Sequence, residues 1–430
     1  MASPLNASCL LLQLISKLRH SGAPRCDARD FLGDGDRGGA GAAARRSLEL
    51  DHSMISGASQ NRWWRMCILM GATIAIPLIV IPAFTGALDP YGLYGGIVDR
   101  QAPRLARTQN DRLIKPWDII IQQPRTILFG TSRVKEGFRP DWFPDAYNAG
   151  IDGAGMADIA DMVDHAAHFD RALHTAYIEL PFSSFVGGAP PRPPPPLVTL
   201  AGLADGLVKF FLSMQAVEAS LSMLGNPPKP DYYITRGGFA DAPGKPPEST
   251  AEITTDYLAA YPKFAWAFTM PNEFAWLQFA RIQLTCTEHR IKCVFFATPS
   301  SAPVLAAIDL HGDWPIFTDY KRRLAAQGAI FDFDDPNGKF FEIGKPVYWH
   351  NSGHFAPALA NPIAREMVDG HAVVLTPENV GSRLRELHAA LRHWEIATGF
   401  AEAYRRAFAV SSHSLGEEPT VKAGANMATR

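Results

Sequence analysis

Residues Met66–Phe84 read MCILMGATIAIPLIVIPAF, nineteen consecutive positions without a charge. No other feature limits so strongly what this chain can fold into. A helix of that length is ~28 Å long, close to the ~30 Å hydrocarbon core of a bilayer. Pro77 and Pro82 would break a soluble helix but are tolerated in a spanning one. Arg62 and Arg65 flank the run with Trp63 and Trp64 as interfacial anchors, and Arg45 and Arg46 lie further back. The positive-inside rule then places the N-terminus in the cytoplasm, although Arg100 and Arg104 on the far side reduce the asymmetry. A cleaved secretory leader fits less well, because the apolar run is too long and Thr85-Gly86-Ala87 is a poor cleavage site. The reading is a single uncleaved helix in the inner-membrane lipid.

Residues 1–65 then form a cytoplasmic tail. Their Gly/Ala/Arg/Asp-rich stretch cannot pack a core, so disorder is expected, and Met54 is an alternative start. The last twenty residues, 411–430, have the same character. A formal net charge of −2 over 430 residues supplies no field that would draw nucleic acid. The five cysteines form no C-x-x-C pair, and no metal site or cofactor is expected. Cys286 and Cys293 flank a helix-to-strand turn. A disulfide is one reading of them; two small buried hydrophobes is the preferred one.

After the span, short apolar runs bounded by Gly, Pro or Asp alternate with helical patterns. Strands are expected at Thr126–Phe129, Ala146–Ile151, Ala176–Leu180, Cys293–Ala297 and Ala329–Phe333, with a helix over Met156–Phe169. The alternation predicts an α/β domain over 85–410, with a mostly parallel sheet covered by helices on both faces. Residues 186–270 break the rhythm. They combine the polyproline-like GGAPPRPPPP, a helical stretch over Leu197–Leu224, a second Pro/Gly-rich loop and a helix around Thr255–Phe268. This insert is read as a lid or cap over one end of the sheet. A further helix is expected over Asn272–His289.

Ligands of open parallel sheets bind beyond the carboxyl ends of the strands. Ser132 stands there, in Gly130-Thr131-Ser132-Arg133 after the first strand, where it is either a nucleophile or a cap of the next helix. Near the other end of the chain, YWHNSGHFAPAL (348–359) carries His350, Asn351 and His354. A serine needs such a basic partner to become a nucleophile.

These blocks, in this order, resemble the membrane-anchored bacterial relatives of the Ser-Gly-Asn-His (GDSL-like) hydrolase superfamily that accompany polysaccharide and alginate O-acetylation. The matching stretches are LDPYG (88–92), PRTILFGTSRVKEGFRPD (124–141), YNAGIDGAGMADI (147–159), TPSSAPVLAAI (298–308), the helix Trp314–Arg323 and YWHNSGHFAPAL. The resemblance implies a flavodoxin-like three-layer sheet, Ser132 as nucleophile, His354 as general base, and Gly150 or Gly153 as the oxyanion-binding amide. It implies an envelope glycan or acyl donor as substrate, and a polysaccharide-modification complex as a partner.

Two departures stand out. Asn351 replaces the aspartate that orients the histidine, and ELPFSSF (179–185) lacks the third-block asparagine. Asparagine can accept from a histidine Nδ1–H but adds no charge, and the same change in a serine protease costs about 10⁴ in rate. Asp334 or Asp335 could supply a carboxylate instead, His350 is an alternative base, and Arg133 could bind an acidic substrate or the oxyanion. Two functions therefore stand side by side. One is a serine-dependent O-acyl esterase or acyltransferase; the other is a degenerate member of the fold that binds glycan or scaffolds a complex.

Overall fold

The computed structural model describes residues 57–94, 107–108, 110–187, 200–225, 233–241, 271–334, 349–350 and 353–406. The expectations for the tails 1–56 and 411–430, for Met54, for a helix at 255–268, and for Asn351 and Asp335 lie outside them. The chain divides into two compact units, Met1–Ala87 and Leu88–Arg430.

Among the described residues the first unit holds one helix, α1 (Gly57–Leu88), which extends the charge-free run at both ends. Its most apolar window has a mean hydropathy of 2.4 and none of it is buried. Trp63, Leu69 and Ile79 stand 67–68 % exposed. A helix apolar all round has the composition of a membrane span. It is long and apolar enough to cross one.

The second unit is α/β. Helix α2 (Asp111–Gln122) leads into β1 (Thr126–Phe129), α3 (Ser132–Gly137), β2 (Ala146–Asn148), α4 (Met156–Phe169) and β3 (Thr175–Glu179). The insert adds α5 (Leu200–Phe211), α6 (Met214–Leu224) and a small antiparallel hairpin, β4 (Tyr233–Ile234) and β5 (Ala240–Asp241). Helix α7 (Glu273–Glu288), β6 (Lys292–Ala297), α8 (Ala302–His311), α9 (Trp314–Ala325) and β7 (Ile330–Asp332) follow. Then come α10 (Pro357–Asp369), β8 (Val374–Leu375) and α11 (Val380–Thr398). The main sheet runs β2-β1-β3-β6-β7-β8, parallel except for β8.

The central strands feed two cores because successive side chains point to opposite faces. Ile127, Phe129, Ala176 and Ile178 join the core built from α4, α7, α8, α9 and α11. Leu128, Tyr177 and Phe296 join the other, with Val134 and Phe138 of the α3 segment and Leu359 and Ile363 of α10. All five expected strands are present. The expected helix at 272–289 is α7, with Asn272 as its cap.

Three features depart from expectation. The helical stretch 197–224 is two helices, broken where Ser213 accepts from the Ala216 N–H to cap α6. The segment Ala204–Leu224 is apolar enough to span by composition (mean hydropathy 1.3), but it buries Phe210, Ala216 and Ser220 within the domain. Within the second Pro/Gly-rich loop lies a hairpin that docks on the β2 edge: the Asn148 N–H donates to Gly237 O at 2.8 Å. An edge strand has unpaired backbone donors, and this contact satisfies one. Finally, Cys286 and Cys293 are not separate small hydrophobes. They form a disulfide across the α7–β6 turn, with Cα atoms 6.1 Å apart.

Candidate active site

The strand order reverses at β1, whose chain neighbours β2 and β3 lie on opposite sides of it. That makes the carboxyl end of β1 the switch point where a ligand crevice opens. Gly130 ends the strand under tight constraint. A Cβ there would lie 2.3 Å from Val134 Cγ2 and 2.6 Å from Glu179 Oε2. Thr131 follows as the N-cap of α3, its hydroxyl accepting from the Arg133 N–H at 3.2 Å. The capping role thus falls to Thr131, and Ser132, the first helical residue, has its hydroxyl directed elsewhere.

It goes to His354. Ser132 Oγ and His354 Nε2 are 2.7 Å apart, although 222 positions separate them in sequence. The histidine sits on a tight loop closed by an antiparallel bridge between Trp349 and Phe355 and by the His350 N–H donating to His354 O at 2.9 Å. Phe355 locks this loop onto the α3 segment, its ring edge-on to Phe138 at 5.5 Å. His354 is 26 % exposed at its side chain. Burial, then the neighbouring Arg133 charge, lowers its pKa to about 4, against the opposing pull of Asp152. The imidazole is therefore neutral near pH 7. With its proton on Nδ1, Nε2 accepts the Ser132 hydroxyl. Glu136 approaches the same nitrogen at 3.9 Å.

A carboxylate from β3 holds the nucleophile turn. Glu179 is fully buried; its Oε2 accepts the Thr131 N–H (2.7 Å) and hydroxyl (2.8 Å), and its Oε1 accepts from Thr298 (2.8 Å). Arg133 Nη1 donates to the Thr298 hydroxyl at 3.3 Å, which places that guanidinium beside the pair. Sequence reasoning missed Glu179. The available signal was a carboxylate closing an otherwise apolar buried strand, TAYIE.

The second-block loop packs on α3. Gly150 has no room for a side chain, since a Cβ would lie 2.5 Å from Lys135 N and 2.8 Å from Thr131 O. Its N–H donates to Asn148 Oδ1 at 2.9 Å, so this amide is already engaged. Asn148 is itself pinned, donating to Val134 O and Phe138 O at 2.7 Å each. Gly153 occupies a left-handed position (φ 58°) and its N–H makes no hydrogen bond among the described residues. Of the two candidate oxyanion amides, Gly153 is the one left for a ligand. Beneath the loop, buried Lys115 donates to Asn148 O (3.0 Å), Gly238 O (2.9 Å) and Gly150 O. Burial brings its pKa down to about 7.

Asp334 does not meet His354. Its carboxylate accepts from Lys321 Nζ at 2.7 Å and from the Ser300 N–H at 2.6 Å, in a buried cluster shared with Asp332. The ring bonded to the serine is that of His354 rather than His350. His165 is buried in the core and directs Nε2 at Pro116 O, 3.0 Å away. No group of metal-binding side chains occurs among the described residues. No protein family is matched by the chain, and no curated protein is detectably similar to it in sequence.

Proposed function

We propose that this protein is a membrane-anchored serine O-acyl esterase or acyltransferase acting on a cell-envelope polysaccharide, of the Ser-Gly-Asn-His type. One observation carries the reading: a serine at the switch point of a parallel sheet, 2.7 Å from a histidine held neutral. Ser132 Oγ attacks the ester carbonyl carbon while its proton passes to His354 Nε2. The tetrahedral oxyanion is met by the Gly153 N–H, with Arg133 beside it. Collapse expels the alcohol, which takes the proton from His354, and leaves an acyl-serine. Water or a sugar hydroxyl then attacks that acyl group, returns its proton through His354 and frees Ser132. The resemblance gives the role of orienting the imidazole to Asn351, which lies outside the described residues. The Cys286–Cys293 bridge and the arginines before the charge-free run support a domain outside the cytoplasm, since disulfides persist in oxidising compartments.

The engaged Gly150 amide favours the second reading, a degenerate member of the fold that binds glycan or scaffolds an envelope complex. Turnover of 4-nitrophenyl acetate by the full-length protein in detergent micelles separates the two. The enzyme reading predicts turnover that Ser132→Ala abolishes. Equal rates in the two proteins would leave the scaffold.

A further inference from the structure

An open groove of about 780 Å³ lies between the 3-10 turn Pro140–Trp142 and the stretch of α10 from Pro357 to Glu366. Six side chains give it its chemistry: Arg139, Asp141, Trp142, Asn361, Arg365 and Glu366. Both walls continue the elements that carry the Ser132–His354 pair. Helix α3, opened by Ser132, ends at Gly137, just before Arg139; α10 starts at Pro357, just after His354. From Pro357 to Arg365 the helix rises ~12 Å, so the groove is an extended strip and not a pit.

The lining suits a particular ligand. Trp142 is half-buried and packs at the rim of the second core, so its indole is held in place. A fixed indole offers a broad apolar surface at little entropic cost. The charges balance, two guanidinium groups against two carboxylates, with Arg139 and Asp141 paired at 3.3 Å. A polyanion would meet Asp141 and Glu366, and a polycation would meet the arginines. Hydroxyls both donate and accept, so a neutral chain rich in them can use the carboxylates, the guanidinium groups and the Asn361 amide together.

We propose that this groove is a subsite for a neutral, hydroxyl-rich glycan chain. Trp142 stacks on a sugar ring, and Asp141, Asn361 and Arg365 bind its hydroxyls. This deepens the proposed function by naming the class of acceptor. The test is affinity electrophoresis of the full-length Ser132→Ala protein in a sugar-free detergent. The gels contain dextran, glucomannan or hydroxyethyl cellulose, with alginate as the polyanionic comparison. At least one neutral polymer should retard the protein, and Trp142→Ala and Asn361→Ala should each weaken that retention about tenfold, the worth of one good contact. If Trp142→Ala loses its fold by circular dichroism, Asn361→Ala decides. Retention by alginate alone, retention unchanged in the folded variants, or none by any neutral polymer overturns the subsite. Phosphonate labelling of Ser132 in the wild type reads the catalytic claim separately. A protein that labels but is not retained loses the groove alone, and one that is retained but never labels loses the enzyme and keeps the groove.

Discussion

Glu179 accepts both the backbone N–H and the hydroxyl of Thr131, so the residue before Ser132 is fixed by a carboxylate from the neighbouring strand. Removing it leaves a buried amide and two buried hydroxyls without their acceptor. Glu179→Ala should cost on the order of 3–5 kcal/mol and lower ester turnover. Glu179→Gln keeps an oxygen for Thr131 and lets the Thr298 hydroxyl accept instead, and should cost about 1 kcal/mol. Thermal melts of the two variants check this; equal losses would mean that burial, not the acceptor, sets the cost.

The neutral imidazole predicts an unusual acid limb. His354 must be unprotonated to take the serine proton, and its pKa is lowered to about 4 by burial and by Arg133. Turnover should therefore persist below pH 6 and fall with a midpoint near 4 rather than near the ordinary 6.5. Arg133→Gln removes a charge that opposes the imidazolium, so the midpoint should move upward. A pH profile of kcat/KM for a small ester, measured in both proteins, shows the sign directly.

Lys115 satisfies three carbonyls of the second-block loop and the insert hairpin. Lys115→Met strands those acceptors and should cost about 2–4 kcal/mol near neutral pH. The folded amine titrates near 7 and the unfolded one at 10.5, so the folded state binds fewer protons between them. Wild-type stability should thus rise with pH from about 7 towards 10.5, and Lys115→Met should lose that slope. Denaturant midpoints at pH 7 and 9.5 give the comparison.

The Cys286–Cys293 bridge closes a short loop, with a sequence separation of 7. By chain entropy it should contribute about 2.5 kcal/mol. Reductant, or Cys286→Ala with Cys293→Ala, should lower the melting temperature of the domain without affecting the fit of Ser132 to His354. Free thiols in protein purified from the envelope would contradict the assignment of its compartment.

The strands were legible because each left a pattern, apolar runs such as TILF and CVFFA bounded by turn residues. The approach of Ser132 to His354 was expected only from the family resemblance, because Gly-x-Ser by itself reads equally as a helix cap. The elements that were missed are short or act through distant contacts. Strand β8 is two residues, Val374 and Leu375, paired antiparallel to β7. The β4–β5 hairpin lies within a Pro/Gly-rich stretch that reads as loop. Glu179 and Lys115 look like ordinary surface charges until the fold buries them. Spacing alone could not tell a bridge from two packed thiols at 286 and 293.

In the proposed reaction the Ser132 hydroxyl is a nucleophile activated by His354. An activated phosphonate that traps serine nucleophiles, followed by peptide mass mapping of the full-length protein, tests it without knowledge of the substrate. A single adduct should form on Ser132 and be lost in Ser132→Ala. In His354→Ala the adduct should form more slowly by a factor on the order of 10³, because the histidine is the base that takes the serine proton. A folded protein with no adduct at Ser132, or one labelled equally fast without His354, would contradict it.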